Sequence, residues 1–208
     1  MPYLHWKEET ITDFSNENIS KMYGRGYVFT RLGRGVMHQT RSVRIDLSRF
    51  ELSSENRRIL KKVGDIVMEE IVLPYPAYSW EIGKMAKDFY ESRDAEFSAN
   101  KIKEIITTPH SFNTLLKYSS LGYAICFKNE EIFHYSYPFY APDAPKDMGL
   151  GMMIKAIAAA KEKGLKYFYL GSLQRPGDVY KLQFSGMEWF DGKEWSTDLE
   201  KAKKELLS

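Results

Sequence analysis

The chain has 208 residues, of which 43% are hydrophobic and 28% charged, with a formal net charge of +2, a profile of ordinary soluble globular proteins built as one large domain or two small lobes. No uninterrupted apolar run is long enough for a membrane span, the first residues lack the basic-then-apolar order of a secretory leader, and the single cysteine, Cys126, excludes an internal disulfide or an all-cysteine metal site; a reducing cytoplasm fits these features. The small net charge hides an asymmetry, because residues 21–62 hold eleven Lys/Arg against three Asp/Glu, which suits a phosphate-rich partner or a merely solvated basic face.

Residues 1–20 are polar and read as a peripheral arm. Tyr27–Arg31 and the run Val36–Leu47 read as strands around Gly33-Arg34-Gly35. Val43, Ile45 and Leu47 alternate with Arg44 and Asp46, which predicts a half-buried strand. The Ser53-Ser54 pair offers a serine as the N-cap of a helix, with Ile59, Val63, Ile66, Val67 and Ile71 at helical spacing. Arg57, Arg58, Lys61 and Lys62 crowd its first turns, against the helix dipole, an arrangement that a nearby anion would relieve. Pro74 and Pro76 then divide a basic N-terminal lobe, residues 1–73, from a catalytic domain, residues 74–208.

Two helices follow, Ser79–Arg93 with Trp80, Met85 and Phe89 inward, and Ser98–Thr108 with Ile102, Ile105 and Ile106 inward. A three-strand meander comes next, over Thr114–Tyr118, Gly122–Lys128 and Glu131–Tyr140. Its third strand is apolar on both faces and is expected to be central, and Pro138, which cannot donate to a ladder, marks a bulge or a splayed point. A helix from Gly149 to Lys163 ends at Gly164, a good C-cap, and leads into a strand at Lys166–Gly171. A strand–helix–strand unit of this kind predicts a parallel pair joined by a right-handed crossover. Strands at Tyr180–Phe184, Met187–Phe190 and Lys193–Trp195 and a short helix from Asp198 to Leu207 close the chain.

The most informative segment is Phe139-Tyr-Ala-Pro-Asp-Ala-Pro-Lys-Asp-Met-Gly-Leu-Gly, running into the Ala/Ile/Met-rich helix. Glycine lets backbone come close to a ligand and tolerates a positive φ. The first N–H groups of a helix lack internal partners and carry partial positive charge. Strand end, glycine turn and helix start together can hold a phosphate or pyrophosphate, which points to a transferase with a phosphate-bearing donor.

The layout of meander, bulged strand, glycine turn, helix and parallel strand resembles the GNAT acyltransferase fold, a mixed and mostly antiparallel α/β sheet flanked by helices. Lys146-Asp-Met-Gly-Leu-Gly is similar to that superfamily's pyrophosphate loop. A narrower resemblance runs along most of the chain, to the arginyl/leucyl-tRNA–protein transferases of the N-end rule. It rests on Arg25-Gly-Tyr-Val-Phe-Thr-Arg, on Ser42-Val-Arg-Ile-Asp-Leu with Asn56-Arg-Arg, on Phe139-Tyr-x-Pro-Asp with Met148-Gly149, and on Tyr169-Leu-Gly, Tyr180-Lys181 and Asp191-Gly-x-x-Trp195, which occur in the family's order. The family's N-terminal cysteine cluster is absent, and Gln174-Arg-Pro-Gly-Asp-Val replaces its usual approach to Tyr-Lys.

The resemblance implies transfer of an amino acid, arginine or leucine, from the tRNA acceptor stem to the N-terminus of a protein or peptide, with no separate cofactor. An acetyl-CoA-dependent N-acetyltransferase and a non-catalytic binding module stay open as alternatives. Candidate roles follow. Tyr180 and Lys181 are read as catalytic. Lys146, Met148, Gly149, Leu150, Gly151, Tyr169 and Gly171 are read as donor-binding. His134, Ser136, Tyr140, Asp143 and Glu188 are read as substrate-binding, and Arg44, Arg57, Arg58, Lys61 and Lys62 as tRNA-binding. For Tyr180 a core aromatic, for His134 a hydrogen-bonded core histidine, and for Met148 a core residue stand as the plainer readings. His5, His38 and His110 show no metal-ligand spacing, so no metal is expected.

Overall fold

A computed structural model describes residues 3–207; Met1 and Pro2 of the expected arm, and Ser208 at the end of the expected catalytic domain, lie outside them. The strands are β1 (Lys7–Thr10), β2 (Tyr27–Phe29), β3 (Val36–Gln39), β4 (Ser42–Asp46), β5 (Met68–Val72), β6 (Thr114–Tyr118), β7 (Gly122–Lys128), β8 (Ile132–Tyr140), β9 (Tyr167–Ser172), β10 (Met187–Phe190) and β11 (Trp195–Ser196). The α-helices are α1 (Asn16–Gly24), α2 (Ser54–Lys62), α3 (Trp80–Glu91), α4 (Ala99–Thr107), α5 (Met148–Glu162) and α6 (Leu199–Leu207), and a 3-10 helix spans Pro176–Gln183. Two compact units divide the chain. The first gathers the chain up to Ser53, Asn129–His134 and the chain from Ala160 onward; the second holds Ser54–Lys128 and Tyr135–Ala159.

In the first unit, β1, β3 and β2 form a small antiparallel sheet, and a second run has the order β11-β10-β4-β9-β8. The start of β8 pairs parallel with β9, from Ile132 opposite Tyr167 to His134 opposite Tyr169, as the strand–helix–strand reading predicts. The N-terminal arm is not peripheral. Lys7–Thr10 pairs with β3, and the Ser15 hydroxyl caps α1 by accepting from the Asn18 N–H at 3.3 Å. Ile19, Met22 and Tyr23 are buried on one face of that helix. Nor is β4 half-buried. It lies between β10 and β9, both antiparallel to it, and even Arg44 is only 8% exposed. The expected strand at Tyr180–Phe184 is instead part of the 3-10 helix through Gln183. Pro176 fixes the first turn, and the Asp178 carboxylate accepts from the N–H groups of Gln174 at 2.8 Å and Arg175 at 3.0 Å.

In the second unit, the later part of β8 is followed in strand order by β7, β6 and β5, and the β5–β6 and β6–β7 pairs are antiparallel. The helix predicted to run on to Ile71 stops at Lys62, because residues 68–72 pair with β6 instead, from Met68 opposite Tyr118 to Val72 opposite Thr114. Ile102, Ile105 and Ile106 of α4 are fully buried. Trp80, expected inward, is 68% exposed; it is the first residue of α3, whose buried stripe is Ile82, Gly83 and Ala86. Antiparallel meander, helix α5 and parallel β9 make this the mixed GNAT-like α/β fold. No helix among the described residues is long and apolar enough to cross a membrane.

Candidate functional site

The glycine turn lies in the second unit. Residues 141–147 lead from β8 into α5, and the turn closes as the carbonyl of Asp147, at φ +71°, accepts the Gly151 N–H at 2.8 Å. The Asp147 carboxylate binds Lys62 Nζ at 2.7 Å. That hydrogen bond, with the fields of Lys62, Lys146 and Arg58, holds its pKa below the ordinary carboxylate value. Arg58 in turn grips the Glu55 carboxylate with both Nε and Nη2. Around the helix start, then, Lys62 and Arg58 are paired with Asp147 and Glu55, and Lys146 adds a third cation.

The two glycines do different things. Gly149 does not adopt a positive φ. Its constraint is the Tyr140 ring, since a Cβ there would lie 3.0 Å from Tyr140 Cε1 and 3.2 Å from its Oη. Tyr140 Oη also accepts from Arg93 Nη2 at 3.2 Å. A Cβ on Gly151 would lie 2.6 Å from Val63 Cγ2, so this glycine lets α5 pack against the chain beyond α2. Met148, 1% exposed, is likewise core. Lys146 and Asp143 are exposed on the loop, Gly149 and Leu150 half-buried at the helix start. Ser136 and Tyr140 are half-buried on β8; Arg57 and Lys61 are exposed on α2.

The first unit holds a buried polar chain. Arg44 Nε donates to Glu188 Oε2 at 2.8 Å and Nη1 to Tyr169 Oη at 3.3 Å. Its guanidinium carbon stands 3.9 Å from the ring centroids of both Tyr167 and Trp195. Arg44 is thus sandwiched and paired, and does not present itself to a phosphate as expected. Glu188, read as a binder of a substrate amine, engages Arg44 with one oxygen and Arg49 with the other. Burial drives the Tyr169 phenol up to about 12, so it stays protonated. The Tyr23 ring lies edge-on to Tyr169 at 4.9 Å and to His134 at 5.7 Å, and Tyr23 Oη hydrogen-bonds His134 Nδ1 at 2.9 Å. Burial, with Lys181 adding repulsion, takes the His134 pKa down to about 3, so its ring is neutral.

Lys181 is fixed from two sides. Its Nζ donates to the Ser172 carbonyl at 2.8 Å and pairs with Asp178 Oδ1 at 3.0 Å. Lys181, the Asp178 main-chain partners Gln174 and Arg175, and the end of β9 form one polar cluster, with Gly171 at φ +73° just before it. Tyr180, beside Lys181 on the 3-10 helix, is 44% exposed; it is not a core aromatic. The fold thus groups Lys146, Gly149 and Tyr140 with Lys62 and Arg58 in one unit, and His134, Tyr169, Arg44, Glu188 and Lys181 in the other. It also assembles a set that sequence reasoning missed. His5, Glu8 and His38 place their ligand-type atoms within 4.8 Å of one another. Their spacing carries no motif; only the β1–β3 pairing reveals the set.

No family model matches the chain. It is similar to two curated proteins named aspartate/glutamate leucyltransferase. One, from Ruegeria pomeroyi (strain ATCC 700808 / DSM 15171 / DSS-3), is 26% identical over 169 residues, 74% of this chain and 60% of that protein. The other, from Ruegeria sp. (strain TM1040), is 43% identical over 65 residues, 29% of this chain and 23% of that protein. The chain therefore spans less than two thirds of the length of either relative. In structure it is similar to L-PGS from Bacillus licheniformis, with a TM-score of 0.50 at 13% identity over 92% of this chain and 70% of that one. That likeness concerns the fold alone.

Proposed function

We propose that this chain is an aminoacyltransferase that moves leucine, or arginine, from aminoacyl-tRNA to the N-terminal amine of a protein or peptide. The observation that carries the reading is the similarity to the aspartate/glutamate leucyltransferase over 169 residues, 74% of the chain. The relatives' name favours leucine as the donor amino acid and acceptors that begin with aspartate or glutamate. The cytoplasm is the setting in which such a donor is met.

The chemistry needs little from the protein beyond placement. The α-amine has a reference pKa near ~8, so a usable fraction is neutral at physiological pH. It attacks the ester carbonyl of the aminoacyl group, and a C–N bond forms as the carbonyl oxygen takes up negative charge. Collapse breaks the C–O bond to the terminal ribose. The nitrogen gives up one proton and the departing ribose oxygen gains one. Tyr180, exposed on the 3-10 helix, is the proposed proton donor to that oxygen. Lys181, held by Asp178 and the Ser172 carbonyl, is a fixed positive charge for the terminal nucleotide. Lys62, Arg58 and Lys146 around the start of α5 suit donor phosphates, and Arg57, Arg58, Lys61 and Lys62 the acceptor stem. Positioning and oxyanion stabilisation then supply the acceleration.

The rival reading, an acetyl-CoA-dependent N-acetyltransferase, draws on Gly149-x-Gly151, whose second glycine faces Val63. The test is incubation with labelled leucyl-tRNA, arginyl-tRNA or acetyl-CoA and peptides beginning with Asp, Glu, Lys or Arg. Label moving from leucyl-tRNA to the Asp and Glu peptides is the expected result. Transfer from acetyl-CoA alone overturns the proposal, and transfer from none makes the chain a binding module.

A further inference from the structure

The first unit brings two histidines and a glutamate together where the sequence shows no metal motif. Glu8 and His38 are direct partners in the β1–β3 ladder, and Glu8 Oε2 lies 2.7 Å from His38 Nε2. The His5 ring, just before β1, stacks on the His38 ring with centroids 4.3 Å apart and planes 15° from parallel. One ligand-type atom from each residue falls within a 4.8 Å set. His5 and Glu8 are exposed, whereas His38 is buried. We propose that His5, Glu8 and His38 form a binding site for a borderline transition-metal dication, Zn2+ in the first place, that staples the N-terminal segment to β3.

Two imidazoles and one carboxylate are a donor set that Zn2+ accepts, with bonds of about 2.0–2.2 Å and a fourth position left for water. Such bonds need the three atoms roughly 3.3 Å apart, so the Glu8–His38 pair, now at 2.7 Å, has to open a little and any wider separation in the 4.8 Å set to contract. The two movable ligands are the exposed ones, and the buried His38 provides the fixed point. An ion would take the place of the direct contact between His38 Nε2 and Glu8 Oε2.

The neighbouring backbone is already held. Leu4 donates its N–H to Gln174 Oε1 at 2.7 Å, and the Leu4 carbonyl accepts from Thr40 Oγ1 at 2.6 Å and Gln174 Nε2 at 3.0 Å. The segment before His5 thus enters the site along a fixed path, which lowers the ordering cost of binding. Gln174 N–H also binds the Asp178 carboxylate, so the staple adjoins the cluster that holds Lys181. Nδ1 of His38 is buried without a hydrogen-bond partner. A ligating histidine ordinarily gains affinity through a partner on its second nitrogen, so this site is expected to be about 10–100-fold weaker than one with that support.

The experiment is calorimetric titration of the full chain with Zn2+, alongside thermal unfolding with and without the ion. The expected result is one saturable equivalent of Zn2+, and a transition temperature that rises with its concentration because the ion binds the folded state. His5→Gln and Glu8→Gln alter exposed side chains and leave the core intact; each should weaken binding by about tenfold or more and abolish the thermal shift. His110→Gln should change neither. Absence of a saturable equivalent, or equal Zn2+ affinity in wild type and both variants, overturns the proposal.

Discussion

Arg44 and Glu188 are register partners across the β4–β10 ladder, and their side chains close the pair at 2.8 Å. Both are largely shielded from water, with side-chain exposures of 10% and 14%, and the Tyr167 and Trp195 rings cover the guanidinium. Removing one partner of such a pair leaves the other charge buried. Glu188→Ala is expected to destabilise the fold by about 3 kcal/mol, at the lower end of the usual range because the two rings remain over Arg44. The double change Arg44→Met with Glu188→Leu should cost less than Glu188→Ala alone. Urea unfolding reads both. A Glu188→Ala protein within about 0.5 kcal/mol of wild type would mean that the pair is no more than a surface contact.

His134 makes acid stability specific. Its pKa is depressed to about 3 in the folded chain by burial, with Lys181 contributing, against about 6.5 unfolded. The unfolded chain therefore binds a proton that the folded chain refuses between those values. The stabilisation is fully present above pH ~6.5, declines as pH falls below it, and is exhausted once pH passes about 3. Over that window the term changes by about 1.4 kcal/mol per pH unit. His134→Gln removes it, so the wild-type stability should fall more steeply than the variant's from pH 6 to pH 4. Parallel curves would show that the histidine takes up its proton without leaving the fold.

Much of the second unit was legible because its signals are local. The β6–β7–β8 meander reads directly from β-branched and aromatic runs between turns, and Ile102, Ile105 and Ile106 announce the buried face of α4. The parallel β8–β9 pair follows from the helix between its strands. The failures are places where distant partners decide. Lys7-Glu-Glu-Thr has no buried side chain, so pairing with the distant β3, and not a hydrophobic pattern of its own, makes it a strand. Met68-Glu-Glu-Ile-Val sits at the end of the strand order, where two adjacent glutamates erase the alternation. Arg44 looks solvent-facing by period, yet Tyr167 and Trp195, far along the chain, cover it. In the candidate site, the glycine turn was visible as a motif, but the assignment of Gly151 to packing depends on Val63, which no local pattern names.

The two glycines of that turn give a contrast within one helix. Gly149→Val pushes a branched side chain toward Tyr140, whose ring would meet its Cβ at 3.0–3.4 Å. Tyr140 is half-buried at the end of β8 and can yield, so the fold should survive while donor binding falls steeply. Gly151→Val meets Val63 carbons at 2.6 and 2.9 Å, inside packed core, and should destabilise the fold by about 1–3 kcal/mol. Thermal unfolding separates the two variants, and filter binding of charged tRNA reads the donor. A folded Gly149→Val protein with unchanged donor affinity would move the donor away from this turn.

The charge test concerns α2. Arg57 and Arg58 lie in its exposed part, within the segment of eleven Lys/Arg against three Asp/Glu. Arg58 is tied to Glu55, a surface pair worth little to stability, so its removal should leave the fold intact. Taking away one bound phosphate's cationic partner lowers the steepness of the binding–salt relation by roughly one unit in a double-logarithmic plot. Arg57→Ala with Arg58→Ala is therefore expected to weaken tRNA binding at low salt and to flatten its salt dependence by about one to two units. A compact acyl-CoA donor has few phosphates to engage, and its binding should barely respond. Equal salt slopes for wild type and the double variant on tRNA would remove α2 from the tRNA surface, and a weakening confined to acyl-CoA would favour the rival donor.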